Sequence, residues 1–424
     1  MANFDEMAML FAINNVEDHE HLLKERQTRI PEMISDPFLL TDRLFIKNFR
    51  FSKNLVKNLI ELLQTRIVSK NRSSAIDLNT KILVTLNFLA TGSYQSPIGN
   101  SRYAALSQPT VSRCISEVVE ALNHPQIFNE WVKFPKNLNE ITEIRNEFYR
   151  ETGFPGVIGC IDCTHVAIVS PSTNLNLNEN QNPEHIYVNR KGYHSINVQL
   201  ICDSKLRMLN VNARFPGSTH DTYIWNNSLV LPVLKELYRR NYDNFYLLGD
   251  SGYPLRQWLL TPISNPTTDA ENFFNSKQMS TRRIIERCNG VLKMRFRCLL
   301  KDRILHYKPE KASSIINACV VLHNMCISNN VPMIYEQGIE EHDNLGMLGD
   351  LEILADNNRN IELTLGSRAE LKGLRASRQL LKKGPFKYIL IKTAFNLYIF
   401  NILIDKTNTI STYHCHNYKI NICI

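Results

Sequence analysis

The chain lacks the compositional biases that would remove it from the globular class. Glycine and proline number only 16 and 17 among 424 residues, too few for a collagen-like chain. Charged residues are 21% and hydrophobic residues 43%, so wholesale disorder is excluded as well. Charge of one sign is also missing: 49 Lys and Arg face 41 Asp and Glu, a net +8. An excess that small implies nothing about partners unless the basic residues cluster, because only a local patch holds phosphates. No internal repeat is present.

Targeting and membrane signals are absent too. The N-terminus, MANFDEMAMLFAINNVEDHEH, has no basic start and its apolar run is broken by acids, which predicts no secretory signal. Residues 386–404 are long enough to span a bilayer. They include Lys387, Lys392, Asn396 and Asn401, costly at a bilayer centre, so no membrane partner is expected. Most of the ten cysteines lie in apolar periodic stretches, not at framework spacings, which predicts buried free thiols in a reducing compartment. Cys160 and Cys163, three apart in a strand, face opposite sides and do not form a redox pair. Cys319, His323 and Cys326 share a helical face, but their apolar surroundings and the lack of a fourth ligand favour a packed core.

The first third reads as helical. Leu55, Leu59, Leu62 and Leu63 share one face of 51–67, and 79–92 repeats the pattern and stops at Gly92. The segment 103–122, with Ser107 as turn or N-cap, reads as two short helices around a polar turn, a helix-turn-helix pattern. The middle is apolar and β-branched. Strands are expected at 156–169, 195–203 and 207–215, the last two joined by a hairpin turn at Ser204-Lys205, and a fourth at 244–250. Segment 222–238 is helical in its latter half, 281–300 is a basic helix and 312–327 an apolar one. The polar stretch 171–185 reads as a loop. The expected divisions are an N-terminal segment (1–40), a helical region with the helix-turn-helix (41–150) and an α/β core (151–330). An acidic linker with a helical segment (331–385) and an atypical tail (386–424) follow.

Four acids stand out by position. Asp162 lies within an otherwise apolar strand, Asp221 follows the third strand, Asp250 closes the fourth, and Glu286 sits on the basic helix. An acid in an apolar strand is expensive unless paired or metal-bound. Carboxylate oxygens suit Mg²⁺ or Mn²⁺, and two such ions about 4 Å apart would clamp a phosphodiester. The order of three strands, helix, strand and helix is the ribonuclease H-like order, in which the first and fourth strands are neighbours. Between Arg282 and Lys311 stand ten Lys or Arg and three acids. That excess beside Glu286 points to phosphate contact, with Arg283, Arg287, Lys293 and Arg297 as candidate DNA-binding residues and Arg295 set apart. His165 and His220 lie close to the acids and could orient a carboxylate.

The blocks GCIDCTHV, FPGSTHDTYIW, LLGDSGYPL and RRIIERCNGVLKMRF resemble the signature blocks of PIF/Harbinger transposases, and more narrowly the nucleases derived from them. The resemblance runs from about Leu40 to Asn330 and includes 35 residues between Asp250 and Glu286. It implies a DDE nuclease core with Asp162, Asp250 and Glu286 catalytic and Asp221 a further metal ligand. It also implies a divalent metal (Mg²⁺ or Mn²⁺), a DNA substrate, a nuclear location shared with the cytoplasm, and a Myb/SANT-like partner protein. The competing reading is a catalytically inactive descendant acting as a DNA-binding or regulatory protein. Three positions depart from the pattern: Cys163 where glycine is usual, Gln278 where histidine is frequent, and Ser280 where arginine is common.

Overall fold

The computed structural model describes residues 36–67, 75–101, 103–171, 183–240, 242 and 245–333. The expectations for 1–35, for the acidic linker and for the tail lie outside the described residues.

Among the described residues, seven α-helices precede the sheet: α1 (Asp42–Phe49), α2 (Lys53–Gln64), α3 (Leu78–Thr91), α4 (Gln95–Gly99), α5 (Gln108–Leu122), α6 (Pro125–Trp131) and α7 (Leu138–Thr152). Their ends follow local chemistry. The Asp77 carboxylate accepts from the Thr80 N–H at 2.9 Å and starts α3. Gly92, at φ 62°, takes the left-handed conformation that stops it, as its position predicts. The helix pair expected within 103–122 is displaced. Only one helix, α5, lies within those bounds; 103–107 is a turn, and the helix preceding it is α4. Gly99 permits this fold-back, since a Cβ there would sit 2.1 Å from the Leu106 carbonyl oxygen.

The sheet contains β1 (Val157–Ala167), β2 (Ser195–Cys202), β3 (Met208–Pro216), β4 (Tyr246–Leu248) and β5 (Leu259–Leu260), in the order β3-β2-β1-β4-β5. The first three are antiparallel neighbours, while β4 runs parallel to β1 and β5 parallel to β4. Parallel return needs a crossover, supplied by α8 (Asp221–Asn226) and α9 (Val230–Arg239). The β2–β3 turn is wider than Ser204-Lys205, because Leu206 joins it at φ 66°. Asp203 organises that turn: its carboxylate accepts from the N–H groups of Lys205 and Arg207 and from Arg207 Nε.

Two long helices pack on the sheet, α10 (Asp269–Arg295) and α11 (Pro309–Ser328). A capping box between Thr268 and Glu271 starts α10 twelve residues before the expected 281. It ends at Arg295, so Arg297 lies in a separate short turn, off the helix where the sequence reading put it. Helix α11 is buried along most of its length, from Ala312 to Cys326, and packs against β3. Among the described residues no helix is long and apolar enough to cross a membrane.

Candidate active site

The four acids come from four separate segments. Asp162 is in mid-β1 and half-buried. Asp250 stands two residues beyond the β4 end, and the parallel pairing of Cys160 with Leu248 puts the two aspartates level on neighbouring strands. Asp221 is the first residue of α8, and Glu286 lies in the middle of α10.

Electrostatics report their proximity. Burial pushes the Asp162 carboxyl up from 3.8 to about 7; the Arg282 guanidinium opposes that, and the charges of Asp250 and Asp221 reinforce it. Burial likewise raises Asp250, with Arg282 and the Gly252 N–H pulling down and Asp221 pushing up. The three aspartates thus repel one another, with the Arg282 guanidinium acting on Asp162 and Asp250 and Arg190 acting on Asp250 as well. Glu286 joins through that guanidinium, accepting from Arg282 Nη2 at 2.5 Å. Among the described residues no group of three or more His, Cys, Asp or Glu side chains is arranged to hold a metal ion. The donor set is nonetheless all oxygen, suited to a hard divalent cation, and its mutual repulsion is what such a cation relieves.

Three positioning contacts were not legible in the sequence. Asn197 on β2 donates from Nδ2 to Asp221 Oδ1 at 3.0 Å and to the Thr219 carbonyl at 2.8 Å. Gln278, fully buried on α10, donates to the Gly249 carbonyl at 2.7 Å and so fixes the loop bearing Asp250 from the helix bearing Glu286. The Thr222 hydroxyl donates to the Gly252 carbonyl at 2.6 Å and ties the Asp221 and Asp250 segments together. Each bridges distant parts of the chain, so only the composition of the blocks hinted at them.

The basic residues divide. Arg283 and Arg287 are exposed. Lys293 is half-buried and donates to Thr164 Oγ1 at 2.7 Å and to the His165 carbonyl at 3.0 Å, so it braces β1. Arg295 is 2% exposed and donates to the carbonyls of Arg50 and Val331. Arg297 is half-buried beyond the helix end. His165 bonds Ser195 Oγ at 3.1 Å, and burial lowers its pKa to about 4, which keeps it neutral. His220 is the position preceding α8 and makes no side-chain cap bond. Cys160 bonds toward the Thr281 carbonyl and Cys163 toward the Tyr253 hydroxyl, on opposite sides of β1. His323 bonds the Leu206 carbonyl at 2.8 Å, while Cys319 lies beside Cys298, so that helical face is core.

A family profile described as "DDE superfamily endonuclease" matches residues 161–324. The chain is 35% identical over 295 residues to "Putative nuclease HARBI1" of Homo sapiens, covering 69% of this chain and 80% of that protein. It is 31% identical over 301 residues to the Xenopus laevis protein of the same name, covering 70% and 82%. "Protein ALP1-like" of Arabidopsis thaliana is 26% identical over 292 residues, covering 65% and 67%. A solved structure, "Crystal structure of a pre-cleavage Mos1 transpososome", overlaps at a TM-score of 0.18 and 12% identity, covering 64% of this chain and 84% of that one.

Proposed function

The chain belongs to the DDE superfamily endonucleases, and from that premise we propose that it is a divalent-metal-dependent DNA endonuclease of transposase descent. Asp162, Asp250 and Glu286 are the catalytic carboxylates in this reading, and Asp221 is a further ligand. The observation that carries it is the aspartate cluster: three segments deliver carboxylates to one place where burial and mutual repulsion hold Asp162 near pKa 7. A structural ion-pair network would match that charge; here Arg282 is shared with Glu286, and Arg190, which acts on Asp250, is the second guanidinium set against four carboxylates. The order β3-β2-β1-β4-β5, with β4 parallel to β1, supports a ribonuclease H-like core. The α4–α5 pair supports a helix-turn-helix.

Asp162, Asp221, Asp250 and Glu286 would hold Mg²⁺ or Mn²⁺. When bound, a pair of such ions supplies Lewis acidity toward both the attacking and the leaving oxygen of a phosphodiester. The chain's own residues position the site. Gln278 fixes the Asp250 loop, Asn197 orients Asp221, and Lys293 holds the end of β1. Arg283 and Arg287, exposed beside Glu286, neutralise DNA phosphates. A Myb/SANT-like partner and residence in nucleus and cytoplasm belong to the same proposal. The partner is supported by the scarcity of basic residues on α5, where Arg113 stands alone.

The test is nicking of supercoiled plasmid by the purified chain with Mg²⁺ or Mn²⁺. Cleavage by wild type, lost in Asp162→Asn with DNA binding retained, supports the enzyme. DNA binding with no metal-dependent cleavage under any condition identifies a non-catalytic DNA-binding protein instead.

A further inference from the structure

A cavity of about 380 Å³ lies away from the acids, between the α3–α5 region and the segment following α10. Its walls include Tyr94, Gln95, Gln108, Arg303, His306 and Tyr307. Tyr94 is 70% exposed, an unusual position for so large a ring, and its ring centroid lies 5.4 Å from that of His306. Arg303 is exposed.

Three side chains along one wall form an ordered ladder. Gln95 Nε2 donates to the Tyr307 hydroxyl at 2.7 Å, and Gln108 Nε2 donates to Gln95 Oε1 at 2.5 Å. In this arrangement Gln95 gives an N–H to Tyr307 and turns its oxygen to Gln108, which presents an N–H to it. What remains outward on Gln108 is its Oε1, which accepts nothing among the described residues, and the second N–H of Nε2. With that orientation, an acceptor and a donor side by side on the amide match one base edge in the DNA major groove, the N6–H₂ donor and N7 acceptor of adenine.

The rest of the surroundings agrees. Gln108 is the first residue of α5, where a recognition helix meets base edges. That helix buries Val111, Cys114, Ile115, Val118 and Val119 and leaves Gln108, Pro109 and Arg113 exposed near its start. Asp302 is the one acid among the cavity's lining residues, against Arg303 and His306. The cavity also adjoins the end of β1, since Ile168 bridges to Leu305. Six residues along a strand is about 20 Å, so a duplex engaged at both places holds this contact several base pairs from the acids.

We infer that this cavity is a second DNA-contacting site, in which Gln108, positioned by Gln95 and Tyr307, reads an adenine in the major groove while Arg303 and the Tyr94–His306 pair hold the adjoining backbone. The inference rests on the reading that the chain binds DNA and deepens it: the chain itself contributes a single-base preference, and a partner protein supplies the remaining sequence recognition.

The experiment uses the full chain and a pool of random 30-base-pair duplexes, sequencing the bound fraction. Wild type enriches adenine at one position. Replacing that adenine with 7-deazaadenine, which lacks the N7 acceptor, weakens wild-type binding by about 5- to 100-fold. Gln108→Ala, an exposed change that leaves the core intact, binds the two probes equally, and Gln95→Ala shrinks the difference. No enriched adenine, no sensitivity to 7-deazaadenine, or undiminished discrimination by Gln108→Ala overturns the inference. Unselective binding together with metal-dependent cleavage sinks the base reading and leaves the nuclease standing. Enriched adenine without any cleavage does the reverse.

Discussion

Asp162 makes the stability of the metal-free protein depend on pH in a direction opposite to that of an ordinary ion-paired aspartate. Its carboxyl moves from 3.8 to about 7 on folding, mainly through burial. At roughly 1.36 kcal/mol per pH unit, that shift is worth about 4 kcal/mol. The folded state holds the proton more tightly than the unfolded state does. The contribution is therefore fully present below about pH 4 and is lost as pH rises through about 7. Asp162→Asn keeps the shape of the protonated acid and cannot ionise. In urea unfolding at pH 4.5 in EDTA the variant should exceed wild type by only about 1 kcal/mol. The variant should become progressively more stable than wild type towards pH 8, by up to about 4 kcal/mol. Mg²⁺ should then act on wild type alone: at a hundred times its dissociation constant it restores about 2.7 kcal/mol. Because the readout is a difference between two proteins, the titration of carboxyls remote from the aspartate cluster cancels. Parallel stability curves from pH 4.5 to 8 would refute the reasoning, since they would mean that Asp162 is not buried against its neighbours' charge.

Other consequences can be measured separately. Arg283→Gln with Arg287→Gln should lower DNA affinity similarly for all sequences and flatten the log–log salt dependence by about 1.8, at roughly 0.9 per phosphate contact; an unchanged slope places the DNA path elsewhere. Lys293→Gln should leave that slope almost unaltered and lower cleavage instead, because its ammonium is engaged by Thr164 and His165; a slope change as large as that of the arginine pair would contradict the bracing role. Arg295→Ala should cost about 2–4 kcal/mol by removing the donor to the Val331 carbonyl, leaving the Arg50 carbonyl only the weak Cys326 thiol, and opening a void, read as a fall in the urea midpoint. Gln278→Ala should reduce Mg²⁺-dependent cleavage without weakening DNA binding, because it frees the Gly249 carbonyl and with it the Asp250 loop; full activity in that variant would show that the loop needs no tether.

How much of this was legible in the sequence depended on the range of the interaction involved. Apolar β-branched runs located β1 to β3, and Gly92 marked its helix end, because strand burial and a left-handed cap are local properties. Helices α1, α6 and α7 escaped notice: the first two are 8 and 7 residues long, and α7 buries only Ile141, Ile144, Glu147 and Phe148. Asn197 had no signal of its own and Gln278 stood out only as a departure from the family pattern; their contacts were not legible, since their partners Asp221 and Gly249 lie 24 and 29 residues away.

The basic helix shows a subtler loss. Summed along the sequence, its arginines and lysines read as one phosphate-binding surface. Taken at helical spacing, they separate into three groups. Ile285, Cys288, Leu292 and Arg295 fall on a single stripe, and all four are buried. Arg295 is therefore a core residue whose charge disguised its place in an apolar pattern, and the two carbonyls it satisfies are what make its burial tolerable. Arg282, Glu286 and Lys293 share another face, turned to the edge of β1, where the first two pair with each other and the third braces the strand. Only Arg283 and Arg287 remain exposed to solvent on the turns around Glu286. Like charges on one helix thus have unlike roles, and periodicity, not charge count, assigns them. The electrostatic attraction for DNA beside the acids should accordingly be smaller than the ten basic residues of 282–311 suggest. It should be concentrated at Arg283 and Arg287, which is the distinction that the salt slopes of the arginine and lysine variants measure.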